Sequence, residues 1–347
     1  MRAGVRRADA VLQGGGVKVI GLVGALTVAE ELGYSWVNIA GTSAGAMVAA
    51  LLAAGYRARE LAQILEELDF ACFRDPGPLG QIPLAGPLLA LLLNKGMYRG
   101  DYLEGWVRAQ LVARGVRTFG DLLLPGETDP RFRFKLQVIA ADISRGRLLV
   151  LPQDMAAYGV QPEELDVARA VRMSASLPFF YRPVAARWRD DGQEQLSYIV
   201  DGGLLSNFPV WLFDVDGAPP WPTFGFMLVD PDYQRPQTIR GPVSLAAALV
   251  STMLEAHDAR YLEEADRVRT IRIPTCGVRT TDFDISPAQR RKLFEAGRAA
   301  AREFFAGWNF PRYVEQYRLP PGRGGRRRRP ALSAPVKAPG REAAAGR

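Results

Sequence analysis

The sequence of 347 residues is poor in the side chains that bind metals and cross-link chains, with one histidine, His257, and two cysteines, Cys72 and Cys276. Two distant cysteines cannot build a disulfide framework, and their scarcity fits a reducing compartment. One histidine and two distant cysteines also argue against a structural zinc site. We therefore expect a fold that depends on neither disulfides nor metal.

Long hydrophobic runs are missing as well. The most apolar run, residues 84–93, is ten residues long and contains Pro87, whereas a membrane-spanning helix needs about 20 apolar residues. Near the N-terminus, polar residues and three glycines interrupt any hydrophobic core of a signal peptide. We expect a cytoplasmic protein, at most peripheral at a membrane, and secretion without a classical signal stays open.

Most of the chain also lacks an excess of charge of one sign. The formal net charge of +7 lies entirely in residues 320–347, since residues 1–319 carry 36 basic and 36 acidic side chains. The neutral part gives no reason to expect a nucleic-acid partner. The mixture of Pro, Gly, Ala and Arg in residues 320–347 predicts a disordered basic tail. Its arginines 326–329 could attract an anionic membrane, or the tail could be solvated without a role.

Strand and helix patterns alternate along residues 1–319, which predicts a single domain of the α/β class. The strand patterns cover residues 8–12, 36–40, 132–141, 147–151, 196–200, 223–229 and 268–273. Helical patterns follow the first two strands and return at residues 163–175, 244–266 and 286–305. Residues 75–100 form an apolar segment broken by prolines and glycines.

A candidate nucleophile follows the second predicted strand. Gly41, Thr42, Ser43, Ala44 and Gly45 form a G-x-S-x-G sequence between a strand and a helix. At such a turn the serine is raised out of the sheet, and the flanking glycines leave room for neighbouring elements. The N-terminus of the next helix would direct its positive dipole end at the serine. The alternative is a small-residue packing turn.

The candidate base is a carboxylate. His257 lies inside a predicted helix, where a side chain on a partly exposed face is the simpler explanation, whereas triad histidines usually lie on loops. Asp201, followed by Gly202 and Gly203, comes directly after the predicted strand 196–200. Open α/β sheets place their active sites at this end of a strand. An ordinary strand-end turn is the alternative.

A glycine-rich loop follows the first predicted strand, with Gly14, Gly15, Gly16, Val17 and Lys18 in sequence. It matches neither the dinucleotide-binding fingerprint nor a phosphate-binding P-loop. Consecutive glycines leave backbone N–H groups accessible, so the loop could form an oxyanion hole with the N–H groups of Gly15, Gly16 and Val17. Lys18 could add positive potential.

Together, the loop 14–18, the motif 41–45 and the triplet 201–203 resemble, in this order, the patatin-like phospholipases, which are lipid acyl hydrolases. The stretches ASLPFF at 175–180 and GGLLSNFP at 202–209 also match the family pattern. The resemblance covers most of residues 8–310. It implies a three-layer α/β/α fold with a central, mostly parallel sheet, a Ser43–Asp201 dyad without a catalytic histidine, and no metal or organic cofactor.

The resulting hypothesis is a serine hydrolase of the phospholipase A or lysophospholipase kind, which cleaves carboxylic esters of fatty-acyl lipids. An acyltransferase, a non-lipid esterase and a catalytically impaired lipid-binding protein remain alternatives. The last is suggested by Val19, because the family usually has glycine there. If that position requires a positive φ, a β-branched residue costs about 1–2 kcal/mol or reshapes the loop.

A possible membrane contact is the apolar segment from Ile82 to Leu93, which is followed by Lys95 and Arg99. Apolar area next to cations suits a lid or a patch that lies on a lipid surface. The alternative is a helix or loop that packs on the core.

Overall fold

The computed structural model describes residues 5–82, 86–190, 192–230, 239, 241, 244–245, 248–249, 252 and 263–319. His257, most of the predicted helix 244–266 and the predicted tail 320–347 lie outside the described residues.

Within the described residues, ten strands form a large sheet and a small one. They are β1 Arg6–Leu12, β2 Tyr34–Thr42, β3 Gly96–Tyr98, β4 Leu136–Asp142, β5 Arg147–Leu151, β6 Phe179–Tyr181, β7 Val184–Asp190, β8 Gln193–Asp201, β9 Thr223–Val229 and β10 Thr270–Pro274. The large sheet has the order β10-β9-β1-β2-β4-β8-β7, with β5 also paired to β4. Its first five strands are parallel and the others are antiparallel. The predicted α/β class with a central, mostly parallel sheet is confirmed.

The helices of the described residues are α1 Val19–Glu31, α2 Ala44–Ala53, α3 Ala58–Glu67, α4 Gly86–Asn94, α5 Asp101–Val112, α6 Val167–Ser174, α7 Gly203–Ser206, α8 Glu264–Val268, α9 Pro287–Gly307 and α10 Phe310–Tyr313. Ser286 caps α9, since its Oγ accepts the N–H of Gln289 at 3.3 Å. None of these helices combines the length and the apolar character needed to cross a bilayer.

Apolar side chains cover both faces of the sheet because neighbouring residues of a strand point to opposite sides. Leu12 lies in the main core with α1 and α2. Val11 lies in a second core with Phe208, Val210 and Phe213. The sheet is therefore the middle one of three layers, and its parallel strands are buried on both faces, which is typical of this class.

Three local features differ from the sequence-based expectations. The helical pattern at 163–175 contains a break, and α6 starts only after Asp166, whose side chain caps it by accepting the N–H of Arg169 at 2.9 Å. Strand β7 was not predicted and extends the sheet beside β8. The broken apolar segment 75–100 contains α4 and β3, and β3 pairs with β6 in the small sheet.

Candidate active site

Ser43 occupies the sharp turn between β2 and α2. Its backbone is in the left-handed region, with φ 55° and ψ −130°, a conformation that costs a residue other than glycine about 1–3 kcal/mol. The flanking residues have to be glycines because a side chain has no room at either position. A Cβ atom on Gly41 would overlap the backbone of Gly45, and one on Gly45 would overlap the carbonyl oxygens of Leu12 and Gln13. The turn thus stores strain and directs the serine into a cavity.

Asp201 is the last residue of β8 and lies directly beside Ser43. The Ser43 hydroxyl donates a hydrogen bond to Asp201 Oδ2 at 2.5 Å. The other carboxylate oxygen, Oδ1, accepts the N–H of Gly203 at 2.8 Å. Gly202 allows this packing because a Cβ atom there would overlap the backbone of Ile139 on β4. Two residues that lie 158 positions apart in the chain therefore meet at the carboxyl ends of their strands.

The environment of Asp201 shifts its carboxyl group toward the protonated form. The side chain is completely buried, and this burial raises the pKa of Asp201 to about 7, although the hydrogen bonds from Ser43 and Gly203 oppose the shift. A carboxyl group with such a pKa can accept and return a proton at neutral pH.

The glycine loop joins β1 to α1 and lies next to Ser43. Gly14 donates its N–H to the carbonyl oxygen of Asn207 at 3.3 Å, and Val17 donates its N–H to the carbonyl oxygen of Thr280 at 3.3 Å. The N–H groups of Gly15 and Gly16 have no hydrogen-bond acceptor among the residues that the structure describes. The Val17 N–H, which was expected to contribute to an oxyanion hole, is thus already occupied.

Val19 does not strain the loop. Its φ is −58°, in the right-handed helical region, and it is the first residue of α1. The positive φ in the loop falls on Gly16, at 56°, where glycine meets no steric penalty. The cost considered for Val19 therefore does not arise, because its condition, a positive φ, does not apply. Lys18 lies at the end of the loop and lines the cavity.

The segment from Ser174 to Ser176 connects the two candidate residues, a role that the sequence did not predict. Ser174 Oγ accepts the N–H of Ser43 at 2.8 Å and donates to the carbonyl oxygen of Ile139 at 2.5 Å. Two residues on, the carbonyl oxygen of Ser176 accepts the N–H of Asp201 at 3.0 Å. The segment 174–176 thus holds both Ser43 and Asp201 by hydrogen bonds. No sequence signal marks Ser174, because its partners are distant in the chain.

A cavity of about 430 Å³ opens over Ser43 and the glycine loop. Its size lies within the usual range for sites that bind small molecules. Apolar side chains make up much of its wall, among them Met47, Phe73, Leu103, Leu177, Phe180 and Phe283. Such a wall suits a hydrocarbon chain more than a polar ligand.

The two remaining motif residues support the turn. Thr42 donates its hydroxyl to the carbonyl oxygen of Ser206 at 3.2 Å, which ties the end of β2 to α7. Ala44 begins α2 and lines the cavity beside Ser43. All the residues singled out in the three motifs thus lie in one region, at the carboxyl ends of β1, β2 and β8.

The chain belongs to the patatin-like phospholipases, a family of lipid acyl hydrolases. The family model described as Patatin-like phospholipase matches residues 10–214, which include the loop 14–18, Ser43 and Asp201. The matched range ends before β9, β10 and α9, so that Phe283 of the cavity wall lies outside it.

Three individual proteins resemble the chain in sequence or in fold. The chain is 38% identical over 307 residues to the uncharacterized protein YqhO of Bacillus subtilis (strain 168), covering 87% of this chain and 99% of YqhO. It is 25% identical over 300 residues to the uncharacterized protein R571 of Acanthamoeba polyphaga mimivirus, covering 82% of this chain and 89% of R571. The crystal structure of VipD from Legionella pneumophila has a similar fold, with a TM-score of 0.51, 19% identity, and coverage of 88% of this chain and 67% of VipD.

Proposed function

We propose that the protein hydrolyses carboxylic esters of fatty-acyl lipids, as a phospholipase A or lysophospholipase does, with Ser43 as nucleophile and Asp201 as base. The observation that carries the proposal is the hydrogen bond of 2.5 Å between Ser43 Oγ and Asp201 Oδ2. This distance permits direct proton transfer from the hydroxyl to the carboxylate.

In the first half-reaction, Ser43 Oγ attacks the carbonyl carbon of the ester while its proton moves to Asp201 Oδ2. The N–H groups of Gly15 and Gly16 stabilise the oxyanion of the tetrahedral intermediate, and the N-terminus of α2 adds a favourable dipole. The intermediate collapses to an acyl-enzyme, and the alcohol or lysolipid leaves with the proton from Asp201.

In the second half-reaction, a water molecule gives its proton to Asp201 and attacks the acyl-enzyme. A second oxyanion forms in the same place and collapses, and the fatty acid leaves while the proton returns to Ser43 Oγ. The apolar wall around Met47, Phe180 and Phe283 would hold the acyl chain through both steps. The right-handed backbone of Val19 adds no strain to the glycine loop, which supports a hydrolase over an impaired lipid-binding protein.

Turnover of a panel of acyl esters by the wild-type protein, Ser43→Ala and Asp201→Asn tests this function. We expect ester hydrolysis by the wild type and a loss of about 10³-fold or more in kcat for either variant. An alcohol acceptor included in the assay distinguishes hydrolysis from acyl transfer, since a transferase would form a new ester instead of free fatty acid. Turnover like that of the wild type in either variant would refute the assignment of that residue.

A further inference from the structure

The outer face of α4 exposes leucines to solvent. Leu88, Leu92 and Leu93 are 48%, 71% and 61% exposed, whereas Ala90 on the opposite face is 1% exposed. A helix that is apolar all round is normally covered on all sides. A cluster of exposed leucines therefore indicates a surface that a membrane or another protein covers.

These leucines are connected to the rim of the cavity by a short path. Helix α4 leads through Lys95 into β3, in which Gly96 pairs with Phe179 of β6. Phe179 is 43% exposed and has a φ of 66°, a rare conformation for a bulky residue that often accompanies function. Its neighbour Phe180 lines the cavity. We call Leu88, Leu92, Leu93, Lys95 and Phe179 together the α4 patch.

A cation stands beside the apolar side chains of the α4 patch. Lys95 is exposed, and its Nζ lies 5.0 Å from the ring centroid of Tyr198. At the boundary between the acyl chains and the phosphate groups of a bilayer, apolar side chains enter the acyl chains and cations stay at the headgroups. The leucines and Phe179 of the α4 patch, with Lys95 beside them, fit this boundary. A partner protein bound permanently to the α4 patch would also cover Phe179, and with it the rim of the cavity.

We propose that the α4 patch docks the protein on the surface of a phospholipid bilayer. Leu88, Leu92 and Leu93 enter the boundary between headgroups and acyl chains, Lys95 meets the phosphates, and Phe179 lies where a lipid would leave the bilayer for the cavity. This docking rests on the proposed function, because a hydrolase of membrane lipids has to draw its substrate from a bilayer.

Vesicle binding tests the docking separately from catalysis. The full-length chain with Ser43→Ala, which prevents hydrolysis, is sedimented with vesicles of phosphatidylcholine and phosphatidylglycerol, with and without Leu92→Ser and Leu93→Ser. About 0.5 M salt suppresses the electrostatic contribution of the basic residues 320–347. We expect the two substitutions to lower the partition coefficient by about tenfold or more. Val112→Ser is the matched control, because Val112 is 56% exposed on another helix, α5.

Activity is measured with the same substitutions in the otherwise wild-type chain. We expect hydrolysis of vesicle lipid to fall by about tenfold, while hydrolysis of a soluble short-chain ester stays within about twofold of the wild type.

Unchanged vesicle binding would overturn the docking, as would an equal loss on both substrates. A dimer that dissociates on substitution, with vesicle binding unchanged, would identify a second copy as the occupant. A wild type inactive on every ester would refute the proposed function, while the binding measurement would still decide the docking.

Discussion

At the scale of single residues, the strained turn at Ser43 is held by a side chain from another element. The N–H of Ser43 points to Ser174 Oγ, which is fully buried and is itself held by the carbonyl oxygen of Ile139. Since a buried N–H that loses its acceptor carries a penalty of about 1–3 kcal/mol, this contact offsets part of the strain of the turn. We therefore expect Ser174 to be a positioning residue for the proposed nucleophile, Ser43.

Replacing Ser174 by alanine should lower kcat by about tenfold or more and leave KM nearly unchanged, because the turn relaxes while the cavity keeps its shape. Steady-state kinetics on a soluble ester measure both constants. Ser197→Ala is the matched control, since Ser197 is also buried and its Oγ accepts a hydrogen bond from Trp188 on β7. Equal effects of the two variants on kcat would show that Ser174 has a structural role only.

The raised pKa of Asp201 predicts the pH dependence of the reaction. Only the ionised carboxylate can accept the proton of Ser43, so kcat/KM should rise about tenfold per pH unit below a pKa of about 7 and level off above it. A pH–rate profile measured between pH 5 and 9 checks this expectation. A flat profile over this range would contradict the role of Asp201 as base.

At the scale of elements, the glycine loop after β1 is shaped by the loop between β10 and α9. Thr280 of that second loop accepts the N–H of Val17 and lies so close to Gly16 that a Cβ atom on Gly16 would overlap its carbonyl oxygen. Gly16 therefore needs both its positive φ and its lack of a side chain. The C-terminal part of the described chain thus fixes the direction of the N–H groups proposed as the oxyanion hole.

Replacing Gly16 by alanine should lower kcat/KM by about 10²–10³-fold, which is the usual cost of a lost oxyanion donor. The matched control is Gly33→Ala, because Gly33 also has a positive φ, 87°, but has open space around its Cα. Gly33→Ala should lose about 1–2 kcal/mol of stability from the left-handed backbone. Gly16→Ala should lose more, because its Cβ atom would also overlap the carbonyl oxygen of Thr280. Kinetics and thermal unfolding of the pair separate the two effects, and an equal loss of activity in both would argue against the oxyanion loop.

At the scale of the whole molecule, the fully buried, parallel part of the sheet could be read from the sequence and its edges could not. The runs that form β1, β2 and β9 are largely apolar, since both of their faces are covered, and each of β1 and β2 ends in a glycine-rich turn. By contrast, β7 mixes arginines with small apolar residues, as an edge strand with a solvated face does. Strands β3 and β6 have three residues each, too few for a periodic pattern.

The sequence likewise predicts one part of the candidate site and not the other. Ser43, Asp201 and the glycine loop were found because each directly follows a strand pattern, and such positions share one edge of an α/β sheet. The contacts of Ser174 with Ser43 and of Thr280 with Val17 depend on tertiary packing between distant segments. Neither contact has a local signature in the sequence.

A second buried carboxyl group, Asp9, should contribute to the pH dependence of the protein's stability. This residue of β1 is 4% exposed, and burial raises its pKa from 3.8 to about 6, against hydrogen bonds from Trp221, Asn38 and Thr223. The folded state therefore binds the proton more tightly than the unfolded chain does. Stability should fall as the pH rises from about 4 to about 6, because ionisation of the buried group then opposes folding.

Asp9→Asn should abolish this contribution, because an amide oxygen can still accept hydrogen bonds from Trp221 and Asn38 and does not ionise. As the pH rises from 4 to 7, we expect the wild type to lose about 2 kcal/mol of stability relative to the variant. Chemical denaturation of both proteins at the two pH values measures the difference in their stability. The contribution of Asp201 cancels, because both proteins contain it. A difference between the two proteins that does not change with pH would contradict the raised pKa.

Covalent labelling of Ser43 tests the central claim of a strained serine activated by Asp201 most directly. The full-length protein is incubated with a fluorophosphonate probe, and the modified residue is located by mass spectrometry. The account predicts a single label on Ser43 of the wild type, no label on Ser43→Ala, and labelling of Asp201→Asn slowed by about 10²-fold or more. An unlabelled wild type, or Asp201→Asn labelled at the wild-type rate, would contradict it.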